Sequence, residues 1–415
     1  MKIMNRSRLF LIFLLLCLSC VVQAKEEDTR YLLSKKTYEL LNDARVAMDE
    51  DNYQIAVQKL NVYLNKEEIK AYDKAVIKQT LGYAYNAQED YQRSIESFVQ
   101  SVSTDALPDK VRHEITYIIA QLYIHSEKYV EGLSYLDKWF EKEANPSADA
   151  HLLAASAYYQ INQFKKLIPH AKTAIEKSAT PQQSWYELLI AGYYETKRFR
   201  DAALLLETMI TKYPDNDSYW LQLIAVYQQN KQEKKALAIS ELAYEKGILK
   251  GEDIIQLAQT YLYLQLPLEA AEILDSEINN GTIKPSKENI ELLSNSWLLA
   301  HDEEKAALVL ERHVAKINDI SLNFKLAHIY VDLENWDKAE QTLETVVTDK
   351  NITTQTKIEA SAWLLLGISS YHRENMLRSK QALNKALAFK ETRDHARWWL
   401  NQIEEDTSNE QSNNS

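Results

Sequence analysis

Cysteine is nearly missing: the chain of 415 residues has two, Cys17 and Cys20, both close to its start. The body of the protein therefore has neither a disulfide framework nor a thiol for catalysis. Glycine and proline occur only seven times each, too rarely for a β-rich or linker-rich protein, so long helices fit better. One extended apolar run exists, Leu9 to Leu18, and it is too short for a membrane span. Positive charge is also in deficit. The net charge of −12 excludes nucleic acid as the expected partner.

Lys2, Arg6 and Arg8 precede the apolar run, and Val22 and Ala24 are small residues suitably placed before a cut between Ala24 and Lys25. Residues 1–24 therefore read as a signal peptide, cleaved after Ala24. Cys20 follows Leu18 and Ser19, which permits a lipoprotein, but Cys17 stands where a branched apolar residue is usual. Cleavage after Ala24 would remove both cysteines and three positive charges, taking the net charge to −15. The expected location is the periplasm, with no membrane span in the mature chain. A large core then has to stabilise it.

What the chain does contain is a repeat. In WLLLGISSYHRENMLRSKQALNKAL, from Trp363 to Leu387, Trp363, Leu366 and Gly367 are followed by Ser379, Leu383 and Ala386. This is the spacing of a two-helix hairpin with small residues where the helices cross, the tetratricopeptide pattern. The same pair of small positions recurs at Gly82 and Ser94, Ala120 and Gly132, Ala258 and Ala270, Ser294 and Ala306, and Ala327 and Ala339. Weaker copies fall at Ala44 and Ala56, Ala155 and Leu167, Ile190 and Ala202, and Ile224 and Ala236. An aromatic residue three places after the first small position recurs as Tyr85, Tyr123, Tyr158, Tyr193, Tyr227, Tyr261, Trp297 and Tyr330.

The second small positions advance in steps of roughly 33 to 40, around the 34-residue unit. About ten hairpins are expected over residues 25–390, stacked into an all-α right-handed superhelical solenoid, since no hairpin buries its apolar stripe alone. Pro108, Pro146, Pro181, Pro214 and Pro285 fall between units, and Asp90-Tyr91 and Asn335-Trp336 at turns within them. Residues 391–405 read as a C-terminal cap helix carrying Trp398 and Trp399, and 406–415 as a disordered polar tail.

The stretch from Ser184 to Leu249, with YLDKWF (Tyr135 to Phe140) and NIELLSNSWLLAHDEEKA (Asn289 to Ala306), resembles exported tetratricopeptide proteins encoded beside TonB, ExbB and ExbD systems. The resemblance implies a periplasmic accessory of TonB-dependent uptake of iron chelates. Its residues are largely hairpin core, so it transfers no set of functional residues. An envelope-assembly adaptor for outer-membrane or peptidoglycan machinery is the alternative.

Catalytic motifs are incomplete wherever they begin. His113-Glu114 lacks the second histidine of a helical zinc motif. Gly132-Leu133-Ser134 lacks the glycine of a nucleophile elbow, and Thr354-Gln355-Thr356-Lys357 stands without the companions of a penicillin-binding site. The nine histidines are dispersed, and no glycine loop cradles a phosphate. A non-enzymatic protein without metal or cofactor is expected.

Function is therefore expected on the first helices, at positions three before, one after and four after the first small residue, which line the concave face of such repeats. These give Gln79, Tyr83 and Asn86, then Tyr117 and Gln121, Ser156 and Tyr159, and Glu187 and Tyr194. Beyond Gln222, adjacent to that row, come Gln259, Glu291 with Asn295, Phe324 with His328, and Tyr371. Tyrosine and amide groups give flat apolar area with a hydrogen-bonding tip, which suits peptide recognition. Only Lys325 approaches the row, so an acidic C-terminus has no clamp and a basic or neutral segment fits better. The basic, proline-rich region of TonB-like proteins would suit an acidic solenoid.

Overall fold

The computed structural model describes residues 29–65, 68–350, 352 and 356–413, with side chains as far as residue 407. The expected signal peptide, with Cys17 and Cys20, lies outside the described residues. All regular structure among the described residues is helical. The chain divides into two compact units, one ending at Arg198 and the other beginning at Phe199.

In the first unit, hairpins are formed by α1 (Lys35–Asp49) with α2 (Tyr53–Leu64) and α3 (Ala71–Ala87) with α4 (Tyr91–Val102). Next come α5 (Asp109–His125) with α6 (Tyr129–Phe140) and α7 (Ala148–Gln160) with α8 (Phe164–Lys177), and then α9 (Gln183–Glu195). The second unit starts with α10 (Phe199–Lys212), followed by α11 (Asp217–Gln229) with α12 (Glu233–Glu245) and α13 (Gly251–Tyr263) with α14 (Pro267–Asn279). It continues with α15 (Lys287–Leu299) and α16 (Glu303–Ile317), α17 (Ile320–Asp332) and α18 (Trp336–Val347), and α19 (Thr356–His372) and α20 (Met376–Ala386). Helix α21 (Arg393–Asn413) follows. Each helix packs on the next within its unit, as a helical repeat solenoid requires.

The small pairs sit where the two helices of a hairpin touch. A Cβ on Gly82 would lie 2.7 Å from the Phe98 ring, and one on Gly367 2.5 Å from Leu383 Cγ. In both hairpins the partner serine donates to the glycine carbonyl, Ser94 to Gly82 and Ser379 to Gly367, each at 2.8 Å. Ala258 with Ala270, Ser294 with Ala306, and Ala327 with Ala339 are fully buried. The weak copy Ala155 with Leu167 has its own explanation. Leu167 is fully buried and spreads towards α9, where a Cβ on Gly192 would lie 2.7 Å from its methyl group. The pair Ile190 and Ala202 has one buried member in each unit.

Seven residues after each first small position the backbone turns left-handed, and never at a glycine. Asp51, Glu89, Glu127, Asn162 and Lys197 in the first unit have φ of 57 to 62°, and Lys231, Gln265, His301, Glu334 and Glu374 in the second 55 to 61°. The next helix then often begins on a side-chain cap, as where Asp90, Asp302, Asn335 and Asn375 accept backbone N–H groups.

Tyr158, Tyr227 and Tyr330 among the recurring aromatics are fastened from two sides, and others from one. Their hydroxyls bond the preceding second helix: Tyr261 donates to Glu241 at 2.8 Å, Tyr227 to Glu207, Tyr330 to Glu311 and Tyr158 to Asp137. Their faces take a cation from the third residue of the following helix: Arg93 over Tyr85, Lys166 over Tyr158, Lys235 over Tyr227, Lys305 over Trp297 and Lys338 over Tyr330, at 4.1 to 5.4 Å. Burial and the neighbouring carboxylates hold the phenols of Tyr227 and Tyr261 well above the usual tyrosine range.

At the N-terminal end, Asp73 of α3 is buried and accepts from the Ser34 N–H at 3.1 Å and from Thr37 Oγ1 at 2.8 Å, tying the start of α1 to α3. The other end differs from expectation. Helix α21 runs through Asn413, so most of the segment expected to be a disordered tail is helical, and residues 414–415 lie outside the description. The reason is at its second half: Asp406 accepts from Tyr371 Oη and from Gln402 at 3.2 Å, and Thr407 bonds the Ile403 carbonyl at 2.6 Å. Ile403 and Ala396 are fully buried with Leu383 and Ala386.

Between α7 and α8, His151 Nδ1 and His170 Nδ1 approach to 3.1 Å against Phe140. Burial, then the facing His151, push His170 down to about 4, with Asp137 opposing, and burial also lowers His151. The unfolded ring titrates near 6.5, so the folded state favours neutral histidine. Stability should be full above pH 6.5 and decline as pH falls towards 4. Solvent still reaches part of the ring, so the loss is about 1 to 2 kcal/mol. Melting curves from pH 8 to pH 4 should show this slope, and a His170→Gln variant should flatten it; equal slopes would contradict the assignment.

Candidate functional site

The first helices carry the expected site residues, but on environments of three kinds. Some are part of the hairpin packing. Tyr83 meets the Phe98 ring edge-on at 4.9 Å, and Tyr117 lies 4.5 Å from Trp139, with burial raising its phenol. Gln79, Asn86 and Gln121 on the same helices are half-buried. Others are engaged by neighbouring groups. Tyr371 bonds Asp406 of α21 and packs on Trp399, Asn295 accepts from Lys325, and His328 faces Asp332 at 3.2 Å. Tyr159, Tyr194 and Gln259 are exposed.

In the second unit, the groove between α11 and α13 deepens into a cavity of about 90 Å³. Apolar lining comes from Leu221, Ile224 and Ala225 of α11, and from Leu249 and Leu257 on the other side. Ser240 of α12, itself buried, lines it as well. Polar groups come from Gln228, Asp253, Gln256 and Thr260, and the lining contains no lysine, arginine or histidine. Asp253, third in α13, accepts from the Lys250 N–H at 3.3 Å, a capping contact that fixes its carboxylate at the helix start. Such a space holds a few water molecules or the end of one side chain.

Part of the cavity lies on the flank of the first helices that the repeat pattern marks for binding. Leu221, Ala225 and Gln228 stand three before, one after and four after Ile224. Asp253, Gln256, Leu257 and Thr260 stand on the other flank of their helix, around Ala258. A cavity between neighbouring helices takes one flank from each, and the expected row covers only one of them.

The corresponding groove between α15 and α17 is filled from within. Lys325, two before Ala327 as Gln256 is two before Ala258, extends its ammonium to Ser294 at 3.0 Å and to Asn295. Burial lowers the pKa of this lysine. A wider depression of about 590 Å³ lies by the turn Leu333–Asp337 with His372 and Arg373. Its groups are spent on structure: Trp336 stacks on His372 at 4.1 Å, and Arg373 pairs with Asp337 at 2.5 Å and with the buried Glu340.

Among the described residues no cluster of three or more metal-ligating side chains occurs, and no helix is long and apolar enough to cross a membrane.

Residues 324–401 match the family model described as tetratricopeptide repeat. The match runs from within α17 to the start of α21, and helical hairpins also make up the rest of each unit. Among solved structures, a tetratricopeptide repeat protein from Parabacteroides merdae is 13% identical over 63% of this chain and 99% of its own, with a TM-score of 0.36. YrrB, described as a TPR protein with an unusual peptide-binding site, is 13% identical over 46% of this chain and 91% of its own, with a TM-score of 0.35. The Cut9-Hcn1 hetero-tetramer of APC/C aligns over 87% of this chain and 82% of the matched one, at 13% identity and a TM-score of 0.29. No curated protein is matched by the sequence.

Proposed function

We propose that the protein is a non-enzymatic periplasmic scaffold that assists a TonB-type complex in the uptake of iron chelates. The observation that carries this reading is the resemblance of Ser184 to Leu249, with Tyr135 to Phe140 and Asn289 to Ala306, to exported repeat proteins encoded beside such systems. The acidic balance of the chain supports it, because an acidic scaffold attracts a basic partner segment. Exposed Tyr159 and Tyr194 add contact area on the first helices.

Deleting the gene should reduce growth on a chelated iron source that depends on the cognate system and leave growth on free iron intact. A scaffold is not the motor, so the defect should be partial. Parental uptake in the deletion strain would sink the uptake reading and move the envelope-assembly adaptor ahead. Export has a separate readout: mass spectrometry of the mature protein should find Lys25 at its N-terminus, and a lipid on Cys20 would contradict it.

A further inference from the structure

The cavity between α11 and α13 has the shape and chemistry for one particular side chain. Apolar walls from Ile224 and Leu257 suit an aliphatic stem, and the Asp253 carboxylate stands among lining residues that include no cation. A long side chain with a positive tip satisfies both surfaces, since its stem packs while its charge finds a fixed acceptor. Elsewhere in the molecule, between α15 and α17, Lys325 already crosses the corresponding groove, although there its acceptors are Ser294 and Asn295, at the positions that Ile224 and Ala225 hold here. At the position equivalent to Lys325, helix α13 has Gln256, and there the space remains open.

We infer that this cavity receives a lysine side chain of an extended, basic partner segment, with the stem against Ile224 and Leu257 and the ammonium at Asp253. The inference rests on the scaffold reading and gives it a chemical specificity. Its occupant is a peptide segment because the cavity holds only a side-chain end and opens along the exposed flanks of two first helices, where Leu221 and Gln256 are exposed.

The test uses the mature chain and fluorescein-labelled peptides of alternating proline with lysine, norleucine or glutamate, followed by anisotropy. The lysine peptide should bind, the norleucine peptide bind more weakly and the glutamate peptide not at all. Asp253→Asn keeps the capping acceptor but removes the charge, and should weaken lysine-peptide binding by about tenfold or more. Gln256→Lys places a lysine where Lys325 stands in the other groove; it should fill the cavity and abolish binding with an unchanged melting temperature. Failure of the wild-type chain to bind the lysine peptide overturns the inference. So does equal binding of norleucine and lysine peptides, or full binding by folded Gln256→Lys. A growth defect on deletion without peptide binding would remove this site alone, whereas peptide binding without a growth defect would remove the uptake reading alone.

Discussion

Gly367→Ala is expected to lower the stability of the C-terminal hairpin by about 1 to 3 kcal/mol, as overpacking does, and Gly367→Leu by more. The new Cβ would lie 2.5 Å from Leu383 Cγ and 3.2 Å from the Leu383 backbone nitrogen, and Leu383 is fully buried. Neither helix can retreat freely, because the Ser379 hydroxyl bonds the Gly367 carbonyl. Urea unfolding measures the cost. A cycle with Leu383→Ala separates crowding from other causes, because trimming the leucine should relieve the alanine and make the double variant less damaged than the sum. Gly251→Ala is the control, since the nearest atom to its Cβ would be 3.8 Å away. Wild-type stability for Gly367→Ala would mean that the helices do not approach as described.

Asp73→Ala should release the N-terminal hairpin. The carboxylate is buried and holds both the Ser34 N–H and the Thr37 hydroxyl. Its removal takes the carboxylate from the half-buried Ser34 N–H and from the buried Thr37 hydroxyl, whose other acceptor is Tyr63 at 3.3 Å, at a cost of about 1 to 3 kcal/mol. The loss should be local, since a stacked hairpin depends on its neighbours rather than on the whole chain. Hydrogen exchange should therefore accelerate in α1 and α2 while α5 to α8 keep their protection. Asp73→Asn, which retains an acceptor, should recover part of it. Uniform acceleration across the first unit would show that Asp73 stabilises more than the terminal hairpin.

The hairpins were legible in the sequence because close helix approach has few chemical solutions. Glycine, alanine or serine stands at most of the crossings, and Gly82 with Ser94 or Gly367 with Ser379 can be read by eye. The left-handed turns were not legible, because Glu89, Lys231 or His301 gives no sign that the backbone inverts there. The site was half legible. Leu221, Ala225 and Gln228 lie on the flank expected to bind, but two of them are apolar and Gln228 is a lone amide, and Asp253 and Gln256 lie on the opposite flank of the next first helix. Tyr371 matches the row, but its hydroxyl is taken by Asp406, which stands in a polar segment with no sequence sign of a helix.

The left-handed turns also change what a glycine means in this protein. Acidic, basic and amide residues serve ten such turns, and of seven glycines only Gly247 and Gly281 have positive φ. Four others, Gly82, Gly132, Gly192 and Gly367, lie inside helices where a Cβ would meet a neighbouring side chain at 2.5 to 2.7 Å. Among related sequences, glycine gained at a hairpin turn should thus be common and structurally silent. Glycine lost at a helix crossing should instead travel with a smaller residue opposite: at Phe98 for position 82, at Ile124 for 132, at Leu167 for 192 and at Leu383 for 367. Paired substitution at these four places would be the record that the fold leaves in a family as it diverges.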